Sequence, residues 1–246
     1  MDASTLQSGR WLRHFGAVSS PRVSLVCLPH AGGAASAYRG WRSRLPADVD
    51  LLAVRYPGRE ERLAEPPAET MAELVGQIAG QVAPLAAGGG LVLFGHSMGA
   101  AIAFEVAYLL ERHGPGPALL MLSGRGAPGS AEPDVADDDE SVLNHVRTLG
   151  DGTAAAYDDE ELRPLLLPSL RADLRLLAGH DPEPGRTVRA PIVIYTGSTD
   201  KGVPVAQAAL WARSTQGRSS LRVFPGGHFY LVDQEAELLA DVSSML

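Results

Sequence analysis

The sequence predicts an α/β fold, a mainly parallel central sheet flanked by helices and interrupted past its middle by an all-helical insertion. Apolar runs of strand length alternate with longer stretches of helical apolar spacing along most of the chain. Its 246 residues suit a single domain of this kind with an insertion. Between about 125 and 186 the alternation stops and only helical patterns remain, after which strands and helices resume. Right-handed strand–helix–strand units build a parallel sheet with helices on its faces. The core is therefore expected at 1–124 and 187–246, with a helical lid at 125–186.

In chain order, residues 11–15 read as a short edge strand pairing with the strand at 23–28 across a Ser19-Ser20-Pro21 turn. That second strand ends in Pro29-His30-Ala31-Gly32-Gly33, a Gly-rich loop at the strand's C-terminal end, where open α/β sheets gather ligands. A helix around 37–45, a buried strand at 51–54 and the loop Tyr56-Pro57-Gly58-Arg59 follow. Met71, Leu74, Val75, Ile78 and Val82 mark a helix over 69–85, which Gly88-Gly89-Gly90 breaks. Residues 91–94 form an all-apolar strand that turns tightly into a long apolar helix reaching 112, and 118–122 form the next strand.

Within the insertion, Asp137-Asp138-Asp139-Glu140 reads as the solvated acidic start of a helix running through Val142, Val146 and Leu149, because carboxylates suit a helix N-terminus. Metal binding is the sharper alternative for that run. A second helical block spans 158–177, bent or divided by Pro164 and Pro168. Such a segment between parallel strands reads as a cap over the sheet's active edge, with surface decoration as the alternative. A strand at 191–195, a helix at 205–213, a strand at 221–224 and an amphipathic helix at 234–242 complete the pattern.

Bulk properties narrow the function. Hydrophobic content of 45% with 20% charged residues describes an ordinary globular chain. A net charge of −8 argues against general nucleic-acid or anionic-membrane binding, since those surfaces are read by clustered Lys and Arg. The single cysteine, Cys27, sits in an apolar run and reads as a buried inert thiol, with cytoplasm as the default compartment. Residues 1–15 show no secretory signal, and no apolar run approaches the roughly 18 residues of a spanning helix.

The chemistry centres on Gly95-His96-Ser97-Met98-Gly99. This fits G-x-S-x-G, the nucleophile elbow, in which a strained strand-to-helix turn lifts a serine hydroxyl from the sheet edge. The pentapeptide alone is a weak signal; the strand before it and the helix after it supply the required context. A serine needs a base, and the base needs a group that fixes its tautomer. His228, in Pro225-Gly226-Gly227-His228-Phe229 after the last strand, stands where the base belongs in the α/β-hydrolase order Ser, acid, His. His180 is the second choice; His96 occupies the variable position of the elbow and points away from the hydroxyl; His14, His113 and His145 have structural readings. Asp200, in the loop leaving the penultimate strand, is the expected acid, with Asp181 and Asp233 as competitors. Asp173 and Glu105 read as helix-surface or structural carboxylates. The tetrahedral intermediate needs donors aimed at its oxyanion. The backbone N–H of Met98 is one, and that of Ala31 is the choice for the other, with Gly32 as the fallback.

The segments LPHAGG at 28–33, RYPGRE at 55–60, GHSMGA at 95–100 with Ala103-Phe104-Glu105, LPSLRAD at 167–173, Gly-x-x-Asp at 197–200, Trp211 and FPGGHFYL at 224–231 together resemble the type II thioesterases. These are stand-alone α/β-hydrolases that accompany modular polyketide synthases and nonribosomal peptide synthetases, and the resemblance covers nearly the whole chain. It implies the α/β-hydrolase fold with a helical lid, Ser97, Asp200 and His228 as triad, and Ala31 with Met98 as oxyanion donors. It further implies hydrolysis of acyl groups from the phosphopantetheine thiol of acyl or peptidyl carrier proteins, with no metal and no cofactor beyond that substrate-borne arm. A monomer is favoured. Gly179-His180 departs from the aromatic usual after the LRAD helix, which touches the acyl pocket and not the triad. Arg39, Arg42, Arg59 and Arg62 are candidates for a basic rim facing an acidic carrier protein, against a plain solvated surface. A small-molecule carboxylesterase or an acyltransferase would use the same triad, and a non-catalytic binding protein of the same fold is the reading from another class.

Overall fold

The computed structural model describes residues 9–130, 138–150, 153–183 and 185–246. Strands β1 (Leu12–His14), β2 (Val23–Leu28), β3 (Val49–Val54), β4 (Leu91–His96), β5 (Leu119–Ser123), β6 (Ile192–Gly197) and β7 (Ser219–Phe224) form one sheet in the order β1-β3-β2-β4-β5-β6-β7. All neighbours pair in parallel except β1 with β3. Side chains alternate across each strand, yet both faces are covered, so the central strands are mostly apolar on both faces, with polar residues such as Ser24, Asp50 and Ser123 near their ends. In β4, Leu91 and Leu93 join the core on one face while Val92 and Phe94 join the core on the other.

The first face is covered by helices α1 (Met71–Ala87) and α2 (Met98–His113). The second packs against a 3-10 helix, Ala35–Arg44, and the C-terminal helix, which follows the short turn of helix Tyr230–Asp233. Tyr38 and Trp41 of the 3-10 helix meet edge to face at 4.9 Å, and Trp41 meets Phe94 in the same way at 4.9 Å. At the start of α1, Thr70 accepts the Glu73 N–H at 3.1 Å, an N-cap one residue before the first buried position, Met71.

Two sequence expectations are corrected. The N-terminal strand pairs antiparallel with β3, Leu12 opposite Val54, and not with the 23–28 strand. Strand β2 has β3 on one side and β4 on the other, so it offers no free edge. The helix expected at 205–213 is one α-helical turn, Val205–Ala208, continued as a 3-10 helix, Ala209–Ser214. Its Trp211 packs on Phe104 at 5.0 Å and donates to the Arg125 carbonyl at 2.8 Å.

Between β5 and β6 the described residues hold α3 (Asp139–Leu149), α4 (Thr153–Asp158) and α5 (Arg163–Ala178), around a small core of Val142, Val146, Tyr157, Leu167 and Leu170. The 158–177 block is one helix from Arg163 onward. Pro164 sits in its first turn, where an N–H has no helical acceptor, and Pro168 lies inside the helix without dividing it. In the acidic run, Asp138 caps α3 by accepting the Ser141 N–H, and Asp139 pairs with Arg171. Asp137 and the first eight residues lie outside the described residues. Cys27 is fully buried, and burial pushes its thiol pKa well up, as an inert thiol requires. No helix among the described residues is long and apolar enough to cross a membrane.

Candidate active site

The elbow after β4 is a turn that two glycines make feasible. A Cβ on Gly95 would lie 2.1 Å from the Gly99 carbonyl oxygen, and one on Gly99 would lie 2.0 Å from the Leu28 carbonyl oxygen. Strand β2 and helix α2 thus pass backbone against backbone. Between them Ser97 adopts φ 54°, ψ −117°, a region that costs an L-residue about 1–3 kcal/mol. The Ser97 N–H donates to the Ser123 carbonyl at 2.8 Å, which fixes the turn to β5. Although Ser97 is the N-cap of α2, its side chain makes no capping bond, so the hydroxyl is not spent on the helix.

The last two strands, β6 and β7, deliver an acid and a base to the same edge. Asp200 follows β6 and His228 follows β7, and their loops interlock: a Cβ on Gly197 would lie 2.1 Å from the Gly227 carbonyl oxygen. The Asp200 carboxylate accepts from the Gly202 and Val203 N–H groups at 2.9 and 3.1 Å through Oδ1, and Oδ2 lies 2.8 Å from His228 Nδ1. Both side chains are buried. The opposite imidazole nitrogen, Nε2, has no hydrogen-bond partner among the described residues. Ser97 and His228 line one cavity, so the structure joins acid to base and brings the serine to the same space without a hydrogen bond to Nε2. The competitors stand apart: Asp181 and Asp233 are exposed, and His180 lies 3.4 Å from Glu105. Glu105 is itself a buried partner of Arg186 at 2.6 Å.

Two further histidines crowd the base. His96 turns its Nδ1 to the Ser123 hydroxyl at 2.9 Å, which in turn contacts the Tyr230 hydroxyl at 2.7 Å. Its centroid is 5.0 Å from that of His228, and His30 meets Phe229 edge to face at 4.9 Å. Desolvation, then the positive charge His228 would carry, lowers the pKa of His96 well below the usual imidazole range. The same causes, joined by the Arg59 charge, bring His30 down to about 4. Both rings are therefore neutral near pH 7. His30 and its place on the cavity wall were not singled out from sequence, although its position in the 29–33 loop was the available signal.

At the oxyanion side, Met98 is the first residue of α2, so its N–H has no acceptor within the helix. The Gly32 N–H, the fallback donor, is committed to Asp173 Oδ2 at 2.8 Å, and Ala31, the first choice, lies on the cavity wall. Asp173 is a buried carboxylate in a bidentate pair with Arg59, 2.7 and 2.8 Å, and Arg59 also donates to the Gly33 carbonyl at 2.9 Å. The basic rim is corrected accordingly. Arg59 and Arg62 are buried, Arg62 stacking over Trp11 at 4.1 Å and bonding Glu65 at 2.7 Å, while Arg42 is spent on the Leu45, Pro46 and Val49 carbonyls. Arg39 alone of the four is exposed.

The cavity over Ser97 measures about 430 Å³. Its lining includes Ser97, His228 and Ala31 together with Leu170, Leu174 and Leu177 of α5 and Tyr157 of α4. A mostly apolar lining with a serine and a histidine in it suits a reactive carbonyl carrying an alkyl or acyl chain. No cluster of three His, Cys, Asp or Glu suited to a metal occurs among the described residues.

Comparison with known proteins places the chain in a family. The family described as "Thioesterase domain" matches residues 23–246. Thioesterase PikA5 of Streptomyces venezuelae is 39% identical over 244 residues, covering 98% of this chain and 87% of that protein. Among solved structures, the RedJ thioesterase from the prodiginine pathway of Streptomyces coelicolor superposes with a TM-score of 0.85 at 35% identity, over 93% of this chain and 92% of that one. The type II thioesterase BorB from the borrelidin biosynthetic cluster gives 0.81 at 35% identity, over 95% and 96% of the two chains. With a family match over nearly its whole length and relatives of the same size, this chain belongs to the thioesterase family and carries its α/β-hydrolase fold.

Proposed function

We propose that the chain is a serine thioesterase that hydrolyses acyl groups from the phosphopantetheine thiol of acyl or peptidyl carrier proteins, clearing aberrant or stalled chains in polyketide or nonribosomal peptide synthesis. The observation that carries it is the Asp200–His228 pair, with Nε2 unengaged in a cavity shared with the strained Ser97. Relatives named for the prodiginine and borrelidin pathways support the carrier-protein setting.

In this reading Ser97 Oγ attacks the thioester carbonyl while His228 Nε2 takes its proton, and Asp200 holds Nδ1–H and stabilises the imidazolium. The Met98 and Ala31 N–H groups receive the oxyanion. As the tetrahedral intermediate collapses, the C–S bond breaks and the pantetheine sulfur leaves, taking the His228 proton as thiol. A thiol of pKa near 8.5 is a better leaving group than an alcohol and needs less proton assistance. Water, deprotonated by His228, then attacks the acyl-Ser97 ester, and the carboxylic acid departs as Ser97 regains its proton. The helices at 139–178 act as the lid, offering leucines to the acyl chain.

Rates on an acyl carrier protein, an acyl-N-acetylcysteamine and a p-nitrophenyl ester, with Ser97→Ala as control, test the assignment. Preference for the two thioesters is expected, with the control losing at least roughly a thousandfold in kcat. A strong preference for the oxygen ester would overturn it.

A further inference from the structure

The buried pair Arg59–Asp173 lies in neither the triad nor the oxyanion donors, yet it touches the loop that supplies one of them. Arg59 follows β3 and Asp173 projects from α5, 114 residues apart in sequence, and they are only 7% and 6% exposed. Withdrawing two charges from water is costly, and a buried pair gains little over an apolar pair of similar shape. Its hydrogen bonds are more specific. Asp173 Oδ2 takes the Gly32 N–H at 2.8 Å, and Arg59 Nη1 donates to the Gly33 carbonyl at 2.9 Å. The Gly33 N–H returns to the His30 carbonyl at 2.9 Å, and the Tyr56 hydroxyl holds the Pro29 carbonyl at 3.2 Å.

The peptide groups on both sides of Ala31 are therefore pinned, while the Ala31 N–H itself is not used by the pair. Gly32 sits at φ +72°, and a Cβ there would lie 2.4 Å from the Tyr157 hydroxyl and 3.2 Å from Leu170. The helical insertion thus presses directly on this loop. Pairing also matters electrostatically: a lone Asp173 carboxylate would oppose an oxyanion at the neighbouring residue, and Arg59 cancels that charge.

We propose that Arg59 and Asp173 are positioning residues that fix the Ala31 N–H for the oxyanion and lock α5 to the same loop. This rests on Ala31 being an oxyanion donor. A donor must sit near 3 Å from where the oxyanion forms, and loss of one such donor costs about 10²–10³ in kcat, so partial misplacement is expected to cost about tenfold or more.

The test uses Arg59→Lys, which keeps the charge but cannot span both Asp173 oxygens and Gly33, and the double variant Arg59→Met/Asp173→Leu, which removes both charges together. Each is measured for thermal midpoint, for kcat and KM on an acyl-N-acetylcysteamine, and for binding of an alkyl boronic acid, whose adduct on Ser97 places an oxygen in the oxyanion position. Expected are folded proteins with kcat down about tenfold or more, KM within about twofold, and boronate affinity falling in step. A folded variant of either kind with kcat and boronate affinity within twofold of wild type overturns the proposal. If both variants unfold instead, the pair is structural and the proposal is likewise overturned. Failure of the proposed serine mechanism, on which an oxyanion at Ala31 depends, is separately visible, because Ser97→Ala would then retain turnover.

Discussion

Ser97 holds one of only two positive-φ non-glycine backbones among the described residues, the other being Glu60. That strain separates what serine does for chemistry from what it does for stability. Glycine reaches φ 54° freely and alanine does not, so Ser97→Gly is expected to melt above Ser97→Ala by roughly 2–4 °C, a difference of about 1 kcal/mol, with both inactive. Differential scanning calorimetry on the two variants checks it. Asp200→Asn is expected to lower kcat by about 10³–10⁴-fold with KM little changed, since the amide favours the wrong imidazole tautomer on His228. Steady-state kinetics on a soluble thioester read the split. At this scale Ser97, Asp200 and His228 were legible because each lies in a short glycine-marked turn at a strand end, in a fixed chain order. The Arg59–Asp173 pair was not: a charged residue in a loop looks the same whether it faces solvent or a helix that arrives more than a hundred residues later.

Elements were legible in kind and less so in pairing. Both faces of the sheet are covered, so mostly apolar runs marked β2 to β6, although Asp50 hid the start of β3 at Val49. The same runs carry no information on neighbours, so residues 11–15 read as a strand beside β2, whereas Leu12–His14 pairs with β3. The Ala35–Arg44 segment winds as a 3-10 helix, with Tyr38 and Trp41 buried three residues apart, a spacing an α-helix would also satisfy. The contact between β2 and α2 makes a sharp demand on one position. Gly99→Ala would drive a Cβ to 2.0 Å from the Leu28 carbonyl oxygen. Backbone must move to accept it, at about 3 kcal/mol or more, and Tm is expected to fall by roughly 6 °C or more. A thermal scan showing no loss would mean that the elbow is looser than its geometry.

The whole molecule joins a sheet, whose parallel strand ends converge on one edge, to a helical insertion whose residues line the cavity there. Its histidine cluster also ties stability to pH. His30 is held down to about 4 and His96 well below its ordinary value, whereas the unfolded imidazoles titrate near 6.5. Between about 4 and 6.5 the unfolded chain binds more protons, so the folded state is favoured in full above 6.5 and loses stability as pH falls toward 4. Urea midpoints are expected to fall across that window, and less steeply in His30→Asn. The central claim, that acyl groups pass through Ser97, is tested most directly by rapid acid quench and mass spectrometry after mixing the enzyme with an acyl carrier protein. The expected result is a transient gain of the acyl mass on the peptide containing Ser97, with no adduct and no turnover in Ser97→Ala. An adduct on another residue, or hydrolysis that persists in that variant, would contradict it.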